Sequence, residues 1–318
     1  MPSSAPPDAR SATVLLRIGT RGSPLALAQA NEVKRRLTAV HALPADAVAL
    51  DIIRTTGDAI RDRPLAEAGG KGLFTKEIEE ALLAGAIDIA VHSAKDMPTQ
   101  LPAGLAIAAV PPREDARDVF ISARAASLSE LPHGARLGTA SLRRQALALR
   151  SRCDLAVVNL RGNVETRLRK VEAGEVDATL LALAGLKRLG LAHKATAVLS
   201  VEEFLPAVGQ GIIAVEARAD DTRVLALLAP LRDGAAAAAL CAERAFLAEL
   251  DGSCRTPIAG HAAVVAGRLD FQGLVAKPDG SVCLQTARAG PLADAVRLGA
   301  DAGCELRSRA GPDFFRRG

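Results

Sequence analysis

Two hydrophobic periods alternate along the first two thirds of the chain. Short apolar runs, the mark of strands, are followed by stretches whose apolar positions recur every three to four residues, the mark of helices. TVLLRIG (13–19) predicts a strand. PLALAQANEVKRRLTAVH (24–41) predicts an amphipathic helix with Ser23 as N-cap and Pro24 at its first position. AVALDIIRTT (47–56) predicts a second strand, FTKEIEEALLAG (74–85) a helix, and IDIAVH (87–92) a short buried strand. That order predicts a mostly parallel sheet with helices on its faces.

The pattern restarts after PPREDARD (111–118), with strands predicted at 119–122, 135–140, 154–160 and 177–183 and helices at 141–152 and 163–174. Pro111 and Pro112 mark a crossover between two α/β lobes. A second crossover, PAVGQG (206–211), is expected after a helix near 202–205, and IIAVEAR (212–218) reads as a strand returning to the first lobe. Beyond residue 233 an alanine-rich helix (235–250), two alternating strands (HAAVVAG, LDFQGLVAK) and a helix (291–303) predict a separate small domain. The expected fold class is α/β: two hinged lobes of periplasmic-binding-protein-like type plus a small C-terminal α+β domain. The expected division is a disordered tail (1–12), a first lobe (13–111 with 212–230), a second lobe (112–211) and a third domain (231–318). Ligands of such folds sit between the lobes, outside the carboxyl ends of the strands.

Composition narrows the ligand. The net charge is only +4, but of the 40 lysines and arginines only 8 are lysine. Arginine is the better residue for gripping carboxylates or phosphates through a two-pronged fork. Trp and Tyr are absent, which argues against base-stacking recognition of nucleic acid. A run long enough to span a membrane and the apolar core of a secretory signal are both missing, so a cytoplasmic protein is expected. Five cysteines (153, 241, 254, 283, 304) form no CxxC pair, and five histidines (41, 92, 133, 193, 261) show no metal-ligand spacing; no metal is expected.

Candidate chemistry collects at predicted strand ends. IGTRGSPLALAQA (18–30) carries Arg21 and Ser23 in a glycine-rich turn at a helix start, a place that favours anions. GGKGLFTKEIEEAL (69–82) sets Lys71 among glycines after a long aperiodic polar stretch, as in a lid. HSAKDMP (92–98) places Lys95 and Asp96 after a buried strand, either as an ordinary surface pair or as catalytic groups. LGTASLRRQALALR (137–150) leads from Thr139 and Ser141 to Arg143 and Arg144 in a first helical turn, where cations oppose the helix dipole unless an anion sits there. NLRGNVETRLRK (159–170) adds Arg161 and Arg167, and LAGLKRLG (183–190) adds Arg188. Three cationic strand ends in one lobe imply a ligand with several carboxylates or phosphates.

These segments, with PAVGQG (206–211) and DGSCRTPIAG (251–260), occur in an order and spacing that closely resemble the porphobilinogen deaminase family, also called hydroxymethylbilane synthases, over roughly residues 14–310. The resemblance implies a cytosolic, monomeric transferase of tetrapyrrole biosynthesis. Such an enzyme joins four porphobilinogens head to tail into hydroxymethylbilane and releases ammonia. It implies a dipyrromethane cofactor held by a thioether, and the matching cysteine is Cys254. Asp96 matches the catalytic aspartate. Lys95, Ser141, Arg143, Arg144 and Arg188 match cofactor contacts. Arg21, Ser23, Lys71, Thr139, Arg161, Arg167 and Gln210 match contacts to porphobilinogen and the growing polypyrrole. No nucleic acid or membrane partner is implied. Glu67 departs from members that carry a lysine four residues before the GGKG lysine. The other four cysteines match no functional position and read as structural.

Three other readings fit fewer residues. An exported solute-binding protein shares the two-lobe plan but not the third domain with Cys254. A cysteine-nucleophile acyl transferase needs a base near the thiol, and His261 is seven residues away in sequence. A nucleic-acid binder needs a concentrated basic face.

Overall fold

The structure is a computed structural model that describes residues 14–59, 72–250, 257–312 and 314. The first lobe begins with β1 (Leu16–Thr20), α1 (Pro24–Val40), β2 (Val48–Ile52), α2 (Thr56–Ala59), α3 (Lys76–Leu83), β3 (Ile89–Ser93) and β4 (Leu105–Ala109). The second contains β5 (Asp118–Ser122), β6 (Arg136–Gly138), α4 (Leu142–Ser151), β7 (Ala156–Val158), α5 (Val164–Glu172), β8 (Ala178–Ala182), α6 (Leu183–Arg188) and β9 (Ala197–Val198). Then follow β10 (Ile213–Arg218), α7 (Thr222–Leu228), α8 (Gly234–Glu249), β11 (Ile258–Val265), β12 (Arg268–Ala276), β13 (Cys283–Pro291) and α9 (Ala295–Ala310).

Three sheets result. The first runs β2-β1-β3-β10-β4 and the second β7-β6-β8-β5-β9. Each has a parallel trio, β2-β1-β3 or β7-β6-β8, continued by antiparallel strands. This is the expected two-lobe plan. Because β10 inserts between β3 and β4, the chain leaves the first sheet and returns to it. The third sheet is the antiparallel meander β11-β12-β13, packed against α8 and α9.

Local sequence explains the key helix starts. Ser23 caps α1 by accepting from the Ala26 amide at 3.3 Å, and the buried stripe Ala26, Ala30, Val33, Leu37 seats that helix on the first sheet. Ser141 caps α4 through the Arg144 amide at 3.4 Å, and Asn163 caps α5 through the Thr166 amide at 2.9 Å.

The two crossovers lie side by side. The Glu114 amide donates to the Gly211 carbonyl at 3.2 Å, and Arg113 Nε donates to the Gln210 carbonyl at 2.9 Å. Gly211 has φ +87°, and a Cβ there would stand 2.3 Å from the Glu114 carbonyl oxygen, so only glycine lets the strands meet. The third domain is fastened to both. Glu243 of α8, fully buried, pairs with Arg113 at 2.6 Å and accepts from the Gly209 amide at 2.6 Å and the Ala262 amide at 2.8 Å. Phe204 and Leu205, just before the second crossover, share a core with Ala259 and Leu274 of the meander.

Some elements depart from expectation. The helix expected near 202–205 is a turn closed by the Phe204 amide on the Ser200 carbonyl. The strands β4, β9 and β13 and the helix α7 carry too weak a period to be predicted. The final helix starts at Ala295 because β13 continues to Pro291, and it runs to Ala310. Among the described residues, no single helix is long and apolar enough to cross a membrane.

Candidate functional site

The carboxyl ends of β1 and β3 build the first wall of a cleft. Arg21 follows β1, and its guanidinium lies 4.1 Å from the ring centre of Phe74. After β3 the chain makes a single 3-10 turn, Ala94–Asp96, which presents Lys95 half-buried and Asp96 exposed. The second crossover packs against that turn: Gly209 has φ +72°, and a Cβ on it would lie 2.9 Å from the Lys95 amide nitrogen. Arg21, Ser23, Phe74, Thr75, His92 and Asp96 line one pocket. Gln29 and Ser93 close its floor, exchanging hydrogen bonds of 2.8 and 3.1 Å.

The opposite wall comes from the second sheet. Thr139 follows β6, buried, with its hydroxyl accepting from the Ser141 amide at 3.1 Å. Arg143 and Arg144 occupy the first turn of α4, only 5% and 6% exposed. The anion that this helix start requires is supplied in part by the chain itself. Asp118, at the head of β5 and 0% exposed, receives Arg143 NH1 at 2.7 Å and Arg144 NH2 at 2.8 Å. Burial opposes the Asp118 charge, but the two guanidiniums outweigh it and hold the carboxyl far below its usual range. Arg161 follows β7, and Arg167 on α5 donates through Nε to the Gly162 carbonyl at 2.9 Å.

Electrostatics shows which groups share the space between the walls. The Lys95 ammonium is brought down to about 8, first by desolvation, then by Arg144 and Arg143, against the opposing pull of Asp96 and Asp118. Arg167 is brought down to about 10 by desolvation, Arg144 and Arg161, with Asp96 opposing. Lys95 and Asp96 belong to the first lobe and the arginines to the second, so among the described residues the lobes present a crowded cationic surface around the exposed Asp96 carboxylate. Such a surface suits a multiply anionic ligand.

Two expected contacts face elsewhere. Arg188 spans the lobes, donating to Glu32 of α1 at 3.3 Å and to the Gly211 carbonyl at 3.0 Å. Gln210 is 1% exposed, and its amide donates to the Ala116 carbonyl at 2.6 Å and to Asp118 at 3.1 Å. Lys71, Glu67 and Cys254 lie outside the described residues; Cys254 falls between Leu250, just past α8, and Pro257, just before β11. Two residues were missed. Asp118 closes PPREDARD (111–118), the stretch whose sequence marks only a crossover between lobes. Phe74 had one signal, a rare aromatic beside the glycine-lysine loop.

Comparison with known proteins covers nearly the whole chain. Residues 16–226 match the family described as porphobilinogen deaminase, dipyromethane cofactor binding domain, and residues 237–308 match the porphobilinogen deaminase C-terminal domain. The chain is 62% identical over 302 residues to a porphobilinogen deaminase of Nitrobacter winogradskyi, covering 95% of this chain and 96% of that protein. It is 57% identical over 300 residues to the one from Paracoccus denitrificans (94% and 96%), and 55% identical over 313 residues to a chloroplastic one from Oryza sativa subsp. japonica (97% and 87%). Among solved structures, a putative methionine-binding lipoprotein of Bacillus subtilis aligns with 68% of this chain and 89% of its own, at 14% identity and a TM-score of 0.43.

Proposed function

The chain belongs to the porphobilinogen deaminase family, and from that membership we propose how its own residues carry the reaction. It is a transferase of tetrapyrrole biosynthesis, condensing four porphobilinogens head to tail into hydroxymethylbilane with release of ammonia, and its cofactor is dipyrromethane. The residues present fit that cofactor. Two linked pyrroles bring four carboxylates. Among the described residues, the interacting cations Lys95, Arg143, Arg144, Arg161 and Arg167 outnumber the carboxylates Asp96 and Asp118 that act on them. Arg143 Nε is buried with no hydrogen-bond partner among the described residues. When bound, the cofactor supplies a pyrrole with a free α-carbon as the nucleophile for the first condensation.

Cys254 is the proposed thioether anchor. Lys95, Ser141, Arg143, Arg144 and Arg188 are assigned to the cofactor side, with Arg188 acting through the interlobe contact described above. Arg21, Ser23, Lys71, Thr139, Arg161 and Arg167 are assigned to the acetate and propionate groups of porphobilinogen, with Gln210 acting from behind Asp118. Asp96 is the catalytic residue. The bond from the aminomethyl carbon to nitrogen breaks with its electron pair leaving on ammonia, and positive charge develops on the pyrrole ring. Asp96 accepts a hydrogen bond from the ring N–H and stabilises that charge. It is also assigned to help move the α-proton lost after coupling. The arginines stay protonated throughout and act by charge and orientation. The observation that supports this reading is the buried Arg143–Arg144 pair at the start of α4, which lies close enough to Lys95 on the first lobe's Lys95–Asp96 turn to oppose its charge.

The same proposal takes residues 13–111 with 212–230, 112–211 and 231–318 as the three domains, and a cytoplasmic monomer as the working form. Free thiols at Cys153, Cys241, Cys283 and Cys304 suit a reducing compartment. Intact-mass measurement of purified wild-type protein tests the proposal. An increment of two linked porphobilinogen units is expected, together with hydroxymethylbilane formation from porphobilinogen. Full activity on an unmodified polypeptide would sink the anchored mechanism.

The lowered Lys95 has a separate consequence. A lysine at about 8 is half neutral at pH 8, whereas an ordinary one is about 0.3% neutral. A bound carboxylate favours the charged form and removes the difference. Brief reductive methylation at pH 8 of the Cys254→Ser protein, which lacks the proposed anchor, is therefore expected to mark Lys95 at least about ten times faster than exposed Lys76 or Lys277. In the wild type that excess should vanish. Equal rates in the variant would contradict the desolvation of Lys95 and the crowding of cations around it.

A further inference from the structure

We propose that Asp118 is a positioning residue of this site: a built-in carboxylate that holds Arg143 and Arg144 in place for the carboxylates of the cofactor. The inference rests on the functional reading above and adds a residue that touches neither substrate nor cofactor. Asp118 is fully buried at the head of β5, directly after the first crossover. One oxygen lies 2.7 Å from Arg143 NH1; the other takes Nε and NH2 of Arg144 at 3.1 and 2.8 Å. Gln210 of the second crossover steadies Asp118 at 3.1 Å while donating to the Ala116 carbonyl at 2.6 Å. Arg143 is held from a further side by the Leu205 carbonyl at 2.8 Å. Both crossovers thus fix the Asp118 carboxylate, and the carboxylate fixes two adjacent guanidiniums.

Neighbouring cations in a buried helix turn repel and have rotamers that avoid each other. One carboxylate between them removes most of that repulsion and selects a single arrangement. It does not use up the donors, since Nε of Arg143 is buried without a hydrogen-bond partner among the described residues. The turn is therefore organised before a ligand arrives yet keeps net positive charge. The alternative, a purely structural ion pair, predicts lost stability with normal loading and turnover in whatever protein folds.

The test uses full-length Asp118→Asn, Arg144→Gln and the double variant, each checked for native circular dichroism, then for adduct-bearing fraction by intact mass and for kcat/KM. Asp118→Asn is expected to lower the adduct fraction by at least about half and kcat/KM by about tenfold to a hundredfold, as for a misplaced binding group. The double variant is expected to fall within about twofold of Arg144→Gln alone, because the two act as one unit. Native Asp118→Asn with normal adduct and turnover, or losses that multiply in the double variant, overturns the inference. A wild type without adduct overturns the functional reading instead. If Asp118→Asn does not fold, Gln210→Met, which keeps the shape but removes the steadying amide, is expected to lower the adduct fraction in native protein; an unchanged fraction overturns the inference equally.

Discussion

Cys254→Ser protein is expected to purify folded, without the mass increment, and with turnover at least about a thousandfold below wild type. The size follows from what a covalent anchor does. Every condensation requires the growing chain to stay beside Asp96 while another porphobilinogen enters. A bound chain end has an effective molarity of about 10⁵ M or more, and a freely dissociating one loses that advantage at each step. Serine cannot replace the anchor, because the sulfur nucleophile is the thiolate and the hydroxyl ionises far less readily.

The other thiols sharpen the prediction. Desolvation pushes Cys241 and Cys283 up, and hydrogen bonding to the Glu249 carboxylate does the same to Cys304. All three are held as thiols. Cys241→Ser and Cys304→Ser are therefore expected to keep both adduct and turnover, and an adduct mapped to either would remove Cys254 from its role. Fold should be unaffected, because the Cys254 segment is bounded by anchored residues. Leu250 is buried at the end of α8, and the Pro257 carbonyl accepts from the Ala276 amide at 2.9 Å.

The sequence was most legible where local physics decides. Ser23, Ser141 and Asn163 cap helices whose apolar stripes are plain, and strand ends gather Arg21, Lys95, Asp96, Thr139 and Arg161 as α/β geometry requires. What was not legible depends on partners distant in the chain. LAIAA becomes β4 only because β10, over a hundred residues later, pairs with it. CLQTARAGP is an edge strand whose residues are nearly all half-buried or exposed, so it carries no clear apolar run. Arg143 and Arg144 signalled an anion correctly, but part of it is Asp118, which sits 25 and 26 residues earlier behind a proline-rich crossover. Arg188 and Gln210 read as ligand contacts by their place in motifs. Only the fold reveals that one ties α6 to α1 and the other ties the second crossover to Asp118.

That division of labour bears on the other large effect. Asp96→Asn is expected to lower kcat by at least about a hundredfold while leaving KM within a few-fold and the adduct in place, the range seen when one preorganised charge-stabilising group is lost. Asp96 is exposed on a short turn, so the change leaves no buried group unpaired and the fold should persist. The substitution keeps size and hydrogen-bonding capacity but removes the negative charge, and that charge matters only once the pyrrole becomes cationic. Substrate binding is set elsewhere, by arginines that grip carboxylates equally in ground and transition states, so KM should hardly move. Porphobilinogen concentration series on wild type and variant separate the two parameters. A variant with near-normal kcat would assign the charge stabilisation to another group. A variant with normal kcat and a raised KM would make Asp96 a binding residue. A Glu at this position is expected to recover only part of the rate, because it retains the charge but its extra methylene carries the carboxylate past the ring N–H.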